Sequence, residues 1–200
     1  MAAKYEQIGM YVRVPDKLYH LMAQTLDIGS EGLVLPQVKT AEEAKHIIRS
    51  TKYAPLGERG VSISATTTLN RDYGVVEYTN WANEELMTII QIESKEGVNN
   101  IDEILSVKGI DAVMIGPSDL SQDMGIPGQL DHPELTSAFR KIITACQNHD
   151  VAPGIHLADM ELVKKWVKEG MRFVTYSYDT KLFKDISRNS LDNLHSFVRE

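Results

Sequence analysis

Two acidic side chains, Glu93 and Asp119, stand just beyond two apolar runs and could share one cation. The runs cover residues 86–90 and 110–115, and each is typical of a buried parallel strand. Neighbouring parallel strands lie about 4.8 Å apart, so carboxylates at their ends can reach one ion if the strands are adjacent. Two carboxylates and several waters suit a magnesium-like ion, with substrate oxygens as the remaining ligands. The alternative is that Glu93 caps the following helix and Asp119 opens a turn.

Three further polar residues fall at or near predicted strand ends. Arg13 lies in an apolar stretch, and its permanent charge needs a partner, either a negatively charged group of a substrate or an ion pair within the protein. Gln91 is two residues before Glu93 and shares its strand face, where it either faces the site or bonds within the core. His156, near the end of the predicted strand at 152–157, could be a substrate contact, a general base or a histidine that simply packs at a strand end.

The segment Gly-Pro-Ser-Asp-Leu-Ser at 116–121 could expose consecutive backbone N–H groups to an anion. Pro117 has no N–H group, so the donors would be the amides of Ser118 and Asp119. The same residues can also form an ordinary turn. A carboxylate-binding role for Ser118 and Asp119 is therefore a hypothesis that the residues alone leave open.

Apolar runs alternate with amphipathic ones along the 200 residues, which predicts an α/β protein with a parallel sheet. An open doubly wound sheet and a (β/α)8 barrel both fit this alternation, but no glycine-rich phosphate loop follows a strand. In a barrel, chemistry gathers at the carboxyl ends of the strands, where all the candidate residues fall. The predicted strands cover residues 8–14, 32–35, 86–93, 110–115, 152–157 and 172–178. The predicted helices cover 15–27, 40–51, 98–105, 133–150, 159–169 and 180–199, with long loops at 52–80 and 119–133.

Six predicted strands are fewer than the eight of a complete barrel, which takes about 250 residues. We therefore expect an incomplete TIM (β/α)8-type barrel with about six of the eight strands in this chain. No composition shift or linker divides the sequence. The expectation is a single domain over residues 1–200.

Composition excludes several classes of partner. The net charge is −7 and no cluster of lysine and arginine stands out, which argues against a nucleic-acid partner. The single cysteine, Cys146, cannot form an internal disulfide and favours a reducing compartment. No apolar stretch approaches the roughly 20 residues that cross a bilayer, and the first residues lack a secretion signal. We expect a cytoplasmic protein with no membrane partner.

An ordered series of short segments resembles the HpcH/HpaI aldolase family, which is also similar to the β subunit of citrate lyase. Each segment alone is weak evidence for the resemblance, but together the segments cover nearly the whole chain in the order found in the family. The segments are YVRVP at 11–15, LDIG at 26–29, GLVLPQV at 32–38, TAEEA at 40–44, GERG at 57–60, QIES at 91–94 and GPSDLS at 116–121.

This resemblance implies a TIM-barrel enzyme that uses a divalent metal (magnesium, manganese or cobalt) to cleave 4-hydroxy-2-oxo acids into pyruvate and an aldehyde. Glu93 and Asp119 match the metal ligands. Arg13 matches the arginine that faces the 2-oxo oxygen, and Gln91 matches a pocket glutamine. The backbone amides of Ser118 and Asp119 match those that hold the substrate carboxylate. Because the family often exchanges its last helix between subunits, a homo-oligomer is also implied.

Two departures from the family keep other functions open. Family members carry two more strands before the arginine strand, with an Asp-x-Glu-His stretch that supplies the proposed general base, whereas this sequence begins about where the third strand would stand. His156 replaces an apolar pocket residue. One alternative is decarboxylation of oxaloacetate, which gives the same enolate without deprotonating a hydroxyl group. The other is a non-catalytic, truncated paralogue that binds 2-oxo acids.

Overall fold

A computed structural model describes residues 8–64, 67–68 and 72–199, and six parallel strands form one sheet in it. Neighbours in the sheet are also neighbours along the chain, so the strand order never reverses. A doubly wound sheet would reverse at a switch point. The predicted α/β class is confirmed, and the sheet is a parallel half-barrel. The strands are β1 (Tyr11–Arg13), β2 (Gly32–Leu35), β3 (Met87–Ile92), β4 (Ala112–Ile115), β5 (Ala152–Leu157) and β6 (Phe173–Tyr176).

Helices connect successive strands and cover one face of the sheet. The helix after the second strand begins with a capping box, in which the Thr40 hydroxyl accepts from the Glu43 amide and the Glu43 carboxylate accepts from the Thr40 amide, both at 3.2 Å. The helices in the described residues are α1 (Tyr19–Asp27), α2 (Ala41–Thr51), α3 (Val75–Glu85), α4 (Lys95–Asn99), α5 (Ile101–Leu105), α6 (Pro117–Asp123), α7 (Pro133–Asn148), α8 (Met160–Lys168) and α9 (Asp179–Arg199). None of the described helices is long and apolar enough to span a membrane.

The sheet separates two apolar clusters, because side chains alternate between its faces. Along β3, Ile90 and Ile92 belong to the large cluster beneath the helices, whereas Ile89 belongs to a smaller cluster on the concave face. The concave face also holds Gln91. At the two sheet edges, Tyr11 of β1 and Phe173 of β6 meet edge to face with ring centroids 6.0 Å apart. The sheet therefore curves until its edge strands approach each other.

The predicted strands at 86–93 and 110–115 are confirmed as buried, and they are adjacent, with Gln91 opposite Met114. The first strand is shorter than predicted and exposed, because it is an edge strand. The loop predicted at 52–80 extends too far, because α3 begins at Val75. Only Tyr78 and Ala82 of this helix are buried, which is too few to give the sequence a recognisable helical period of apolar residues. The loop predicted at 119–133 is also wrong at its start, because Pro117 opens α6.

Candidate functional site

Glu93 follows β3 directly, and its carboxylate is completely buried. One oxygen, Oε1, accepts a hydrogen bond from the Gln37 amide at 2.9 Å. The other, Oε2, is buried with no hydrogen-bond partner. The residue that caps α4 is Ser94, whose hydroxyl accepts from the Gly97 amide at 3.1 Å. Glu93 therefore does not serve as the helix cap, and one of its oxygens is left for another ligand.

Asp119, in the first turn of α6, places a second carboxylate beside Glu93. Burial raises the pKa of Glu93, and the negative charge of Asp119 raises it further, whereas the Gln37 amide and Arg13 act to lower it. A divalent cation between the two carboxylates would remove their repulsion and satisfy the bare Oε2. The residues present therefore fit a cation. In the described ranges no group of three or more His, Cys, Asp or Glu side chains could hold a metal, so water and substrate would complete the ligand set.

Gly116 allows the backbone to pass close to these side chains. A Cβ atom added there would lie 2.6 Å from Glu93 Oε2 and 2.8 Å from Gln91 Nε2. Both distances are shorter than a carbon atom tolerates. Any side chain at position 116 would therefore force Glu93 and Gln91 to move.

Arg13 reaches the same site from the edge strand. Its Nε donates to Gln91 Oε1 at 2.9 Å, and its Nη2 lies 3.9 Å from Glu93 Oε1. About half of the side chain, 54%, is exposed, so the guanidinium keeps donors that face the open cleft. Gln91 itself is buried beside Arg13.

A cleft of about 570 Å³ opens on the concave face between β1 and β6. Its apolar lining includes Val34, Met114 and Phe173. The polar side chains in the lining are those of Arg13, Gln91, Asp119, His156 and Thr175. The cleft is thus large enough for a small organic acid and offers it both polar and apolar contacts.

His156 lines this cleft and is half-buried, with Nδ1 2.8 Å from Thr175 Oγ1. This contact engages one ring nitrogen. The other nitrogen, Nε2, is left to interact with a molecule in the cleft. The structure therefore brings His156 together with Arg13, Gln91 and Asp119, as their places at strand ends predicted.

Ser118 and Asp119 occupy the exposed start of α6, after Pro117 at its first position. The first N–H groups of a helix have no partner within it. The amides that the sequence suggested for a carboxylate therefore lie at the mouth of the site. A second, polar cleft of about 450 Å³ lies on the other side of Asp119, and its lining includes Glu93 and Lys39.

Sequence reasoning missed two contributors. Gln37 contributes through its backbone amide, which leaves no side-chain signal. Thr175 lies inside a predicted strand and gains its role only by pairing opposite His156. The sequence signal that could have indicated Gln37 is its position just beyond the end of a predicted strand, after Pro36.

The fold and site together define an α/β protein with a polar site at the carboxyl ends of a curved parallel sheet. The sequence profile of the HpcH/HpaI aldolase/citrate lyase family matches residues 1–185, and the chain belongs to that family. The 4-hydroxy-2-oxo-heptane-1,7-dioate aldolase of Escherichia coli is 40% identical over 159 residues, which make up 80% of this chain and 60% of that protein. The chain thus spans about three fifths of the length of the curated relatives it matches.

Solved structures agree with this membership. The crystal structure of the HpcH/HpaI aldolase from Desulfitobacterium hafniense DCB-2 superimposes with a TM-score of 0.91 at 33% identity, covering 96% of this chain and 74% of that one. The structure of the citrate synthase SbnG gives a TM-score of 0.85 at 30% identity, covering 100% of this chain and 77% of SbnG. The six-stranded half-barrel is therefore an arrangement found within larger family members.

Proposed function

We propose that this protein is a carbon–carbon lyase of the class II aldolase type, which cleaves 4-hydroxy-2-oxo acids to pyruvate and an aldehyde through the enolate of pyruvate. One observation carries the proposal. Glu93 Oε2 is buried and has no hydrogen-bond partner, and the carboxylate of Asp119 lies close enough to raise the pKa of Glu93. Family membership and the 40% identity to an aldolase support the same reaction class. We infer accordingly that the half-barrel belongs to a TIM-type barrel.

Glu93 and Asp119 would hold a divalent cation in this proposal. Magnesium, manganese and cobalt all accept such oxygen ligands. When bound, the cation supplies Lewis-acid polarisation of the substrate's 2-oxo group. The protein's own part is to keep Glu93 Oε2 buried and without a hydrogen-bond partner near Asp119.

The remaining residues would bind and orient the 2-oxo acid. Arg13 directs its guanidinium at the C2 oxygen, where negative charge develops as the carbon–carbon bond breaks, and Gln91 holds that guanidinium in place. The amides of Ser118 and Asp119 would hold the substrate carboxylate. His156, oriented by Thr175, would contact the substrate across the cleft.

Self-association is also part of the proposal. The helix α9 exposes a series of apolar side chains, among them Phe183 at 74%, Ile186 at 65% and Phe197 at 76%. Apolar surface of this extent usually marks an interface. We infer a homo-oligomer in which α9 is covered, and solution mass measured with and without Phe183→Glu tests it.

The decisive experiment measures pyruvate release from a panel of 4-hydroxy-2-oxo acids and oxaloacetate, with added magnesium or manganese or with chelator, on protein of known mass. We expect cation-dependent release that Glu93→Gln and Asp119→Asn each reduce at least 100-fold. Glu161→Gln, which alters an exposed surface pair with Lys164, serves as the matched control. Cation-independent release, or release unchanged in Glu93→Gln, would overturn the proposal.

Oxaloacetate deserves a place in the panel because its decarboxylation forms the same enolate without removing a hydroxyl proton. A general base typically contributes about 10²–10⁴ in rate. Among the described residues that line the cleft, His156 is the one histidine that could act as such a base, and decarboxylation does not need it. We therefore predict faster turnover of oxaloacetate than of the hydroxy-oxo acids. The opposite order would reject this prediction while leaving the lyase proposal intact.

A further inference from the structure

The backbone of Gln37 adopts a rare conformation beside the candidate cation site. Its φ is +57°, in the left-handed region that residues other than glycine seldom occupy. Two hydrogen bonds flank its Cα atom. On one side the Gln37 amide donates to Glu93 Oε1 at 2.9 Å, and on the other its carbonyl accepts from Lys17 Nζ at 2.8 Å.

Lys17 is itself held firmly. Its side chain is only 18% exposed, and its ammonium also lies 2.9 Å from Glu43 Oε1. Partial burial acts to raise the pKa of Glu43, but the hydrogen bonds from Lys17 and from nearby backbone amides lower it overall, so the carboxylate stays ionised. Glu43 is fixed in turn by the capping box with Thr40. An unbroken series of contacts therefore runs from the start of α2, through Lys17 and Gln37, to Glu93.

We propose that Lys17 is a positioning residue for Glu93. Its charged donor holds the Gln37 carbonyl, which keeps residue 37 in the left-handed conformation and its amide directed at Glu93 Oε1. With Oε1 occupied, Oε2 is the oxygen left to face Asp119 and a cation. This inference rests on the proposed cation site, because Lys17 is connected to Glu93 through the backbone of Gln37.

Removal of the ammonium would let residue 37 relax to negative φ and turn its amide away from Glu93. The carboxylate would then lose its donor and sample other rotamers. A hydrogen bond from a charged donor is shorter and stronger than one from a neutral donor. A water molecule in place of the ammonium would therefore hold the Gln37 carbonyl less firmly. Groups that orient metal ligands typically contribute 10–100-fold to metal affinity. Because Lys17 acts through one intervening residue, we expect about tenfold weaker cation binding, the lower end of that range.

The test measures Mn²⁺ dissociation constants directly, by electron paramagnetic resonance of free Mn²⁺, together with the thermal stability of each cation-free protein. The variants are Lys17→Met, Lys17→Arg and Lys17→Gln. The matched control is Lys45→Met, which removes an exposed lysine paired with Glu42 on α2. Glu93→Gln tests the cation site itself.

We expect the dissociation constant to rise about tenfold in Lys17→Met, about fivefold in Lys17→Gln, whose donor is neutral, and less than twofold in Lys17→Arg, which keeps a charged donor. Lys45→Met should match the wild type. If Lys17→Met does not fold, Lys17→Gln against Lys17→Arg decides the question.

Equal affinity in the wild type and the neutral Lys17 variants would overturn the inference, as would equal loss in Lys17→Arg or in Lys45→Met. If Glu93→Gln binds Mn²⁺ like the wild type, the proposed cation site fails instead. The two failures are thus distinguishable in one series of measurements.

Discussion

The Nε of Arg13 on β1 donates to Oε1 of Gln91 on β3 at 2.9 Å, although β2 lies between the two strands. On a flat sheet, strands one position removed lie about 9.6 Å apart. Inward curvature and two long side chains close that distance. The guanidinium of Arg13, on the edge strand β1, therefore lies at the carboxyl end of β3, next to Glu93.

Arg13→Lys tests whether the guanidinium serves the substrate. A lysine keeps the charge but loses the planar fork of donors, so it cannot hold Gln91 and face the cleft at once. We expect kcat/KM for pyruvate release to fall about 100-fold, while the Mn²⁺ dissociation constant changes less than threefold. A variant with unaltered turnover would show that the arginine only pairs with Gln91 and Glu93.

Glu93→Gln should stabilise the cation-free protein at neutral pH. Since burial and Asp119 raise the pKa of Glu93, the folded protein binds this proton more tightly than the unfolded chain does. Stability is therefore lost as the pH rises from the ordinary glutamate range through the raised pKa. Glutamine removes the charge, still accepts from Gln37 and brings an amide donor toward Asp119. We expect about 1 kcal/mol of added stability in urea unfolding with chelator present.

Two further observations check that prediction. The difference between Glu93→Gln and the wild type should shrink as the pH falls toward the ordinary glutamate range, where both carry a neutral side chain. Added Mn²⁺ should stabilise the wild type and leave Glu93→Gln unaffected. A less stable Glu93→Gln at neutral pH would mean that the charge is satisfied within the folded protein.

Gly116→Ala should damage the site through steric contact. The new Cβ would lie 2.6 Å from Glu93 Oε2 and 2.8 Å from Gln91 Nε2, which forces both side chains to move. We expect a loss of about 1–3 kcal/mol in stability and at least tenfold weaker Mn²⁺ binding. Gly74→Ala is the control, because a Cβ there meets no atom within 4 Å. Equal effects of the two substitutions would refute the steric explanation.

Lys52→Met should lower the stability of the fold and leave cation binding unchanged. The buried Lys52 ammonium donates to the carbonyls of Leu86 at 2.6 Å and Asn83 at 3.0 Å and lies 3.6 Å from Asp111 Oδ2. These groups stand near the amino ends of β3 and β4, opposite the site. Since methionine leaves two carbonyls unpaired, we expect a loss of about 2–4 kcal/mol in urea unfolding.

Mn²⁺ affinity of the folded fraction of Lys52→Met should remain within threefold of the wild type, because no contact of Lys52 reaches Glu93. Lys164→Met, on an exposed pair, is the stability control and should change the unfolding free energy by less than 0.5 kcal/mol. A selective loss of cation binding in Lys52→Met would contradict this division.

Much of the fold could be predicted because the relevant signals are local. Successive side chains of a strand point to opposite faces, so a strand over residues 86–93 places Gln91 and Glu93 on the same face whatever surrounds it. The capping box of Thr40 and Glu43 is likewise a property of four consecutive residues. The start of the helix at Val75–Glu85 was not predicted, because its sequence has no clear helical period of apolar residues. Tertiary packing of Tyr78 and Ala82 fixes this helix instead.

The sequence by itself determined which residues stand at the carboxyl ends of strands, and so which side chains were candidates: Arg13, Gln91, Glu93, Asp119 and His156. Only the tertiary structure decided that β3 and β4 are neighbours and that the strand order never reverses. It alone placed the Gln37 amide on Glu93 across 56 residues and left Oε2 bare. The physical reason is that local periodicity specifies which way a side chain faces, whereas distances between remote segments depend on how the whole sheet curves and packs.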